Sequence, residues 1–397
     1  MRSGSRYLWI VGLCLSLCLV LKFLTWNLVH DELDEVIYWQ LSENLYKNGH
    51  YSLQGTTVLP YVSTIVYDRP LFHHPPLLAL LLGPFVLWST PQFGVLVSWA
   101  GHLLCIAAVA IVCRAYAQSS RRPVRFLLYA PVIGVALDPF LTFISTKIWT
   151  DSLLAGLTSM ALALFIVAGE VPKPRRFWIG GGVLLGLAAL VKVIALALLP
   201  FVAYLLVAAA GRQKRKWIEP LCWGILPTLL LVLPWFIVFY RTFGSISPSW
   251  IKADEWTIHN YKFAHAAMNR PVFYYLIKMS FIQPMFLVCF AAAIFRSGIM
   301  NDANFRNGFI WCLLYLVVIT FLSATGQGFQ TRYLAPMYPG VYVMWSGFIR
   351  HFHSRPRMLW TTGALSIACS SLTGLVYLWR PVYDELISLP EHLHLLG

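Results

Sequence analysis

Apolar runs long enough to cross a lipid bilayer recur down this chain, and they constrain its fold more than any other feature. A helix needs about 20 largely apolar residues to cross a ~30 Å hydrocarbon core. Runs of that size lie near 94–116, 150–169 and 217–240, with others between them. Hydrocarbon offers peptide groups no water, so only helices or closed barrels span it. The ~10-residue alternating segments of a barrel are absent. The expectation is an all-α polytopic membrane protein, and a composition of 58% hydrophobic and 12% charged residues agrees.

The net charge of +14 would point to nucleic acid in a soluble chain. Here the basic residues fill short loops between apolar runs, which reads as topology, with no nucleic-acid partner. Spans are expected near 7–29, 94–116, 126–145, 150–169, 178–191, 194–210, 217–240, 272–295, 307–323, 333–349 and 358–379, about eleven transmembrane helices in all. With the amino terminus inside, "SSRRPVR", "KPRR", "GRQKRK", the Arg296–Arg306 segment and "RHFHSRPR" all fall on the cytoplasmic face, as the positive-inside rule requires. The Asp31–Asp68 region, Asp151, Asp254, Glu255 and the Asp384–Glu391 tail fall outside.

Two assignments follow from keeping that order. The stretch "PPLLALLLGPFVLW" (75–88) lies along the outer interface or dips in and returns. The run from Phe177 to Ala210 divides into two short spans that meet outside near Lys192. The first apolar run is too long for a signal-peptide core and is expected to remain as an anchor. The eight cysteines lie in or near apolar segments without zinc-ligand spacing, and read as packing residues. The whole chain, 1–397, reads as one membrane domain. It has a first outer loop at 30–92, a second at 241–271 and a short outer tail at 380–397.

This topology gathers the unusual polar residues on one face. The stretch "HDELDEVIYWQ" packs Asp31, Glu32, Asp34 and Glu35 into five positions, in a chain with 16 acidic residues. "YDRPLFHHPPL" adds Asp68, Arg69, His73 and His74; "STKIWTDS" brings Asp151 to a helix mouth; "SATGQGFQTRYLAP" delivers Arg332 beside Tyr333. Carboxylates, imidazoles and cations at one interface suit a site for a lipid-linked anion and a nucleophile. Each also has a plainer reading. The acidic run suits a solvated loop, and the two histidines are interfacial punctuation as readily as metal ligands. Lys192 and Arg332 have the placement of residues that snorkel to headgroups. Asp138, before Pro139 inside an expected span, either faces the bundle or marks a kink.

"DEVIYWQLSENLYKNGHYS" followed by "FHHPPL" resembles the first outer loop of the GT-C glycosyltransferases related to protein O-mannosyltransferases and lipid A aminoarabinose transferases. "RRFWIGGGVLLGLAALVK", "TDSLLAGLTSMALALF" and "RYLAPMYP" match that family in kind and order. The resemblance implies a GT-C fold with interfacial helices in the first outer loop. It also implies transfer of a sugar from a polyprenyl-phosphate donor to a glycan, lipid or protein acceptor. The reaction would take place at the outer, periplasmic face of a bacterial-type inner membrane, with inversion at the sugar carbon.

By the same resemblance the catalytic set is Asp34, Glu35 and Asp151, with Asp34 the general base because Tyr38 follows at the family's spacing. Lys192, Arg332, Tyr333 and His74 would hold the donor phosphate. His74 fills a slot where many relatives have Lys. With His73 it is a candidate ligand for a divalent metal, so metal use stays open. The competing classes are a lipid-linked glycan transporter, which needs a matching cytoplasmic site, and an O-antigen ligase or polymerase, whose key outer loop comes late in the chain.

Overall fold

The computed structural model describes residues 2–24, 33–57, 69–119, 129–212, 216–245, 271–324 and 330–352, with isolated residues between 354 and 368. It is helical, with no strand among the described residues. Asp31, Glu32, Asp68, most of the 241–271 loop and the 380–397 tail lie outside them, as does most of the expected span at 358–379.

The helices are α1 (Arg2–Leu24), α2 (Leu33–Glu43), α3 (Leu77–Leu87), α4 (Val95–Ser119), α5 (Tyr129–Ala136), α6 (Pro139–Ile144) and α7 (Thr150–Ala168). Then come α8 (Arg175–Val191), α9 (Leu199–Arg212), α10 (Ile218–Phe243), α11 (Tyr274–Ile282), α12 (Pro284–Phe295), α13 (Ala303–Leu322) and α14 (Tyr338–His351). Among the described residues, five helical stretches are long and apolar enough to cross a membrane: Pro91–Tyr116, Thr150–Ala168, Val193–Gly211, Ile218–Phe243 and Ala303–Leu322. The chain is an integral membrane protein. The expected count of eleven is not confirmed: among the described residues several expected spans are built from shorter pieces, and the one expected at 358–379 lies mostly outside them.

Two of those pieces correct the sequence reading, and proline explains both. The stretch expected as one span over 272–295 is α11 and α12, which meet at 111°. Pro284 disfavours helical geometry in the residue before it, and Gln283 accordingly sits at φ −135°, ψ 72°. The expected span 126–145 breaks at Asp138, whose extended backbone starts a new helix with Pro139 at its first position. Its Oδ1 accepts from Leu141 N at 2.8 Å, capping α6. Asp138 thus faces the bundle and marks a break at once.

Other expectations hold. α3, at 11 residues, is only about 16 Å long at 1.5 Å per residue and does not span. It packs on the first loop, where Ser42 Oγ donates to Ala79 O at 2.8 Å. Residues 177–210 divide at Lys192, whose extended backbone (φ −157°, ψ 123°) ends α8 before a 3-10 turn at Val193–Leu198. Among the described residues six cysteines are buried free thiols, and Cys222 is exposed.

At the centre stands α7, buried along nearly its whole length. It reaches that position by close approach to α4. A Cβ added at Gly156 would lie 2.2 Å from Gly101 O, so the two backbones touch where neither residue has a side chain. Ser152 Oγ donates to Ser98 O at 2.6 Å across the same contact. At the periphery, α10 turns Leu226, Leu229, Leu230, Leu233 and Ile237 outward, the face of a helix bathed in lipid. α7 therefore presents its first turn, with Asp151, from a rigid and fully packed position.

Candidate active site

The acidic pair begins α2, where carboxylates favour the positive end of the helix dipole. Adjacent residues on a helix diverge by about 100°, and the pair separates accordingly. Asp34 keeps 35% of its side chain exposed. Glu35 is fully buried, and its Oε1 accepts from Ile148 N at 2.8 Å. Glu35 thereby fastens the turn that leads into α7. Lys22, buried in α1, fastens the same turn from another side by donating to Ser145 Oγ.

Asp151 lies in the first turn of α7 and is 2% exposed. Its Oδ1 is 3.5 Å from Lys192 Nζ, and its Oδ2 is 3.8 Å from Arg332 Nε. Arg332 rises from the 3-10 segment Thr331–Met337 that leads into α14. One of its terminal nitrogens meets Asp34 Oδ2 at 2.5 Å, and its Nε donates to Gln330 Oε1 at 2.7 Å. The guanidinium lies over the Trp149 ring at 4.7 Å, while Lys192 Nζ sits 4.3 Å from the centre of the Tyr333 ring. Arg332 thus bridges both carboxylates, with aromatic faces beneath the cations.

The structure brings Asp34, Asp151, Lys192, Arg332 and Tyr333 into one cluster. His74 stands one step away. Its Nδ1 shares a hydrogen bond with Tyr38 Oη at 2.8 Å. Burial pushes the Tyr38 phenol well up, with Asp34 adding to the effect, so it keeps its proton. Where Tyr38 is the donor to Nδ1, a neutral His74 carries its hydrogen on Nε2 and can donate from there. The His73 and His74 rings are 4.3 Å apart. Among the described residues no group of three or more His, Cys, Asp or Glu side chains is placed to hold a metal ion. Asp34 and Asp151 already have cationic partners, and Nδ1 of His74 is engaged. The described residues do not fit a metal centre.

Trp149 and Gln330 are not visible as site residues in the sequence. Their signal is faint: an aromatic two positions before Asp151, and an amide two before Arg332. Both placements depend on segments distant in the chain coming together.

The chemistry of the cluster is that of anion handling beside a base. Two cations held over aromatic faces can take a phosphate, and a partly exposed carboxylate next to them can take a proton. The fold has solved counterparts. The crystal structure of ArnT from Cupriavidus metallidurans bound to undecaprenyl phosphate superposes with a TM-score of 0.62 at 19% sequence identity, covering 92% of this chain and 64% of that one. Its apo state gives 0.60 at 17% identity over the same shares. This chain thus spans a little under two thirds of the length of ArnT. None of the curated proteins matches it in sequence.

The chain is an integral membrane protein with the fold of ArnT. The chain belongs to glycosyltransferase family 87, whose model it matches over residues 72–320. The matched stretch includes His74, Asp151 and Lys192, while Asp34 and Arg332 flank it.

Proposed function

We propose that this glycosyltransferase takes its sugar from a polyprenyl-phosphate donor and passes it to an acceptor hydroxyl or amine at the periplasmic face of a bacterial-type inner membrane. The observation that carries this reading is the double engagement of Arg332, by Asp34 on one side and on the other by Asp151, which also pairs with Lys192. The ArnT fold, solved with undecaprenyl phosphate, supports the choice of donor. The positive-inside reading of the basic loops in the sequence supports the placement of the site.

In this reading Asp34 takes the acceptor's proton as the acceptor atom bonds to the sugar's anomeric carbon. The bond from that carbon to the phosphate oxygen breaks, its electron pair leaves with the phosphate, and the carbon inverts. A sugar-linked phosphodiester carries one negative charge, and the released monoester approaches two at pH 7, because its second pKa is about 6. Lys192 and Arg332 therefore bind the departing phosphate more strongly than the donor's. Interactions that strengthen toward the transition state are the ones that accelerate a reaction. Asp151 keeps both cations in place, and Glu35 holds the turn that aims Asp151. His74 Nε2 offers a neutral donor to the sugar or phosphate. The acceptor is a lipid, glycan or protein of the envelope.

Purified protein in lipid nanodiscs, given undecaprenyl-phosphate sugars and envelope extract, should release undecaprenyl phosphate and a glycosylated product seen by mass spectrometry. Transfer from nucleotide sugars, with the polyprenyl donors left intact, would sink the proposal.

A further inference from the structure

Asp138 takes no part in the chemistry above, yet it is buried among apolar helices and fully partnered. Its Oδ2 accepts from Tyr342 Oη at 2.7 Å and from Gln283 Nε2 at 3.2 Å, while Gln283 Nε2 also donates to Tyr342 Oη at 2.9 Å. Its Oδ1 holds the α6 cap described above. Four elements meet here: the start of α6, α11 and α12 at their bend, and α14.

Two of these elements run on to the active site side by side. One passes from Asp138 through α6 to Trp149 and Asp151. The other passes from Tyr342 back through Tyr338 to Arg332. They touch at three levels. Tyr342 meets Asp138 at the far end. Tyr338 stacks on Phe140 in the middle, with ring centres 4.7 Å apart and planes at 21°. Arg332 meets Trp149 and Asp151 at the near end. The third arm comes from Gln283 along α11. There Tyr274 Oη shares a hydrogen bond with Thr331 Oγ1 at 2.8 Å, and Tyr275 Oη accepts from Gln330 N at 3.2 Å. These contacts grip the two residues immediately before Arg332.

We propose that Asp138, Gln283 and Tyr342 are positioning residues for the donor-phosphate site, setting where Arg332 stands relative to Asp151. The inference rests on the phosphate reading of Arg332 and Lys192. The node touches no reacting atom. It acts through the two parallel segments, which close at one end on the node and at the other on the guanidinium. A displacement at the node is delivered to Arg332 because both segments are short, packed and bound at every level between.

The test is a swap of partners read by binding of undecaprenyl phosphate to the full-length protein in nanodiscs. Asp138→Asn keeps the oxygen that caps α6 but turns an amide toward the donors of Gln283 and Tyr342. Changes along packed networks shift binding at a distance, and carrier affinity should fall about ten-fold, about 1.4 kcal/mol. Adding Gln283→Glu exchanges the roles: the carboxylate introduced at position 283 accepts from the amide introduced at position 138 and from Tyr342. Affinity in the double variant should return to within about three-fold of wild type. Tyr342→Phe, which deletes one hydroxyl, serves if Asp138→Asn does not fold, and should weaken binding about three-fold. Loss of folded protein alone would lower the number of sites and leave the dissociation constant unchanged. An unchanged constant in the folded variants, or a swap no better than Asp138→Asn, overturns the inference while the phosphate reading stands. A wild-type protein that does not bind the carrier overturns the phosphate reading, and this inference with it.

Discussion

Arg332 and Asp34 are in contact at 2.5 Å, so the cation suited to a phosphate and the carboxylate suited to a proton occupy each other. A phosphate drawn onto the guanidinium would release the carboxylate for the acceptor. That relationship separates the roles of the two residues in measurable ways.

Asp34→Asn removes the proton acceptor and the charge that holds Arg332. Transfer should fall by about 10²–10⁴, the usual contribution of a general base. Partly exposed ion pairs are worth roughly 0.2–1 kcal/mol, so undecaprenyl phosphate should bind no more weakly and up to about five-fold more tightly. Weakened carrier binding in a scintillation or nanodisc assay would move Asp34 from base to phosphate-site support.

Glu35 should behave quite differently. Glu35→Gln keeps an oxygen for Ile148 N–H and should retain much of the activity. Glu35→Ala leaves that buried amide without its acceptor, at a cost of about 1–3 kcal/mol. A lower melting temperature in the alanine variant but not in the glutamine one, followed in detergent, is the expected pattern. Equal inactivation of both variants at normal stability would mean that the carboxylate charge itself is needed.

The cations should govern the donor. Lys192→Ala and Arg332→Ala each remove a charge-assisted contact worth about 1.5–3 kcal/mol. Donor KM should rise about one to two orders of magnitude in each, with a smaller change in acceptor KM. Donor kinetics unchanged in both would leave the two residues as headgroup anchors.

Metal removal should leave the enzyme active. Asp34 and Asp151 already face Arg332 and Lys192, and His74 Nδ1 is taken by Tyr38. Dialysis against a strong chelator should therefore preserve transfer, and adding zinc or magnesium back should not raise it. A requirement for added metal would show that a cation displaces these partners in the working enzyme.

The side of the membrane is open to direct labelling. With exposed Cys222 changed to Ser, a cysteine at exposed Gln54 should react with an impermeant thiol reagent applied to spheroplasts, and one at exposed Lys173 should not. The reverse pattern would put the active site in the cytoplasm.

Much of this site can be read from the chain because its chemistry is carried by residues that are rare in apolar surroundings. The family resemblance, through the spacing to Tyr38, singles out Asp34 among the acidic residues; the two share a helix, with Tyr38 bonded to His74. Lys192 stands out because a run of more than thirty apolar residues must break somewhere, and the charge marks where. The bend at Gln283 is encoded too, in the proline that follows it, but the unbroken hydrophobicity of 272–295 outweighs that single residue. The stacking of Arg332 on Trp149 has no local signal. It depends on two segments packing side by side, and no periodicity within either reveals its partner. Glu35 pairs with Asp34 in the sequence by adjacency alone, whereas helix geometry turns the two side chains to different neighbours.

The contact between Lys22 and Ser145, together with that between Asp34 and Arg332, has a consequence for biosynthesis. The groups emerge from the ribosome in an order unrelated to their pairing. Lys22 is made long before Ser145, and Asp34 must wait for almost the whole membrane domain before its cation exists. Contacts so distant in sequence are slow to form. The young chain therefore holds a buried-type lysine and an acidic pair without their final polar partners, at the edge of a bilayer that penalises both. On the proposed role of Arg332, the site is complete only once the segment after α13 docks, so a chain terminated before that segment is expected to lack transfer activity.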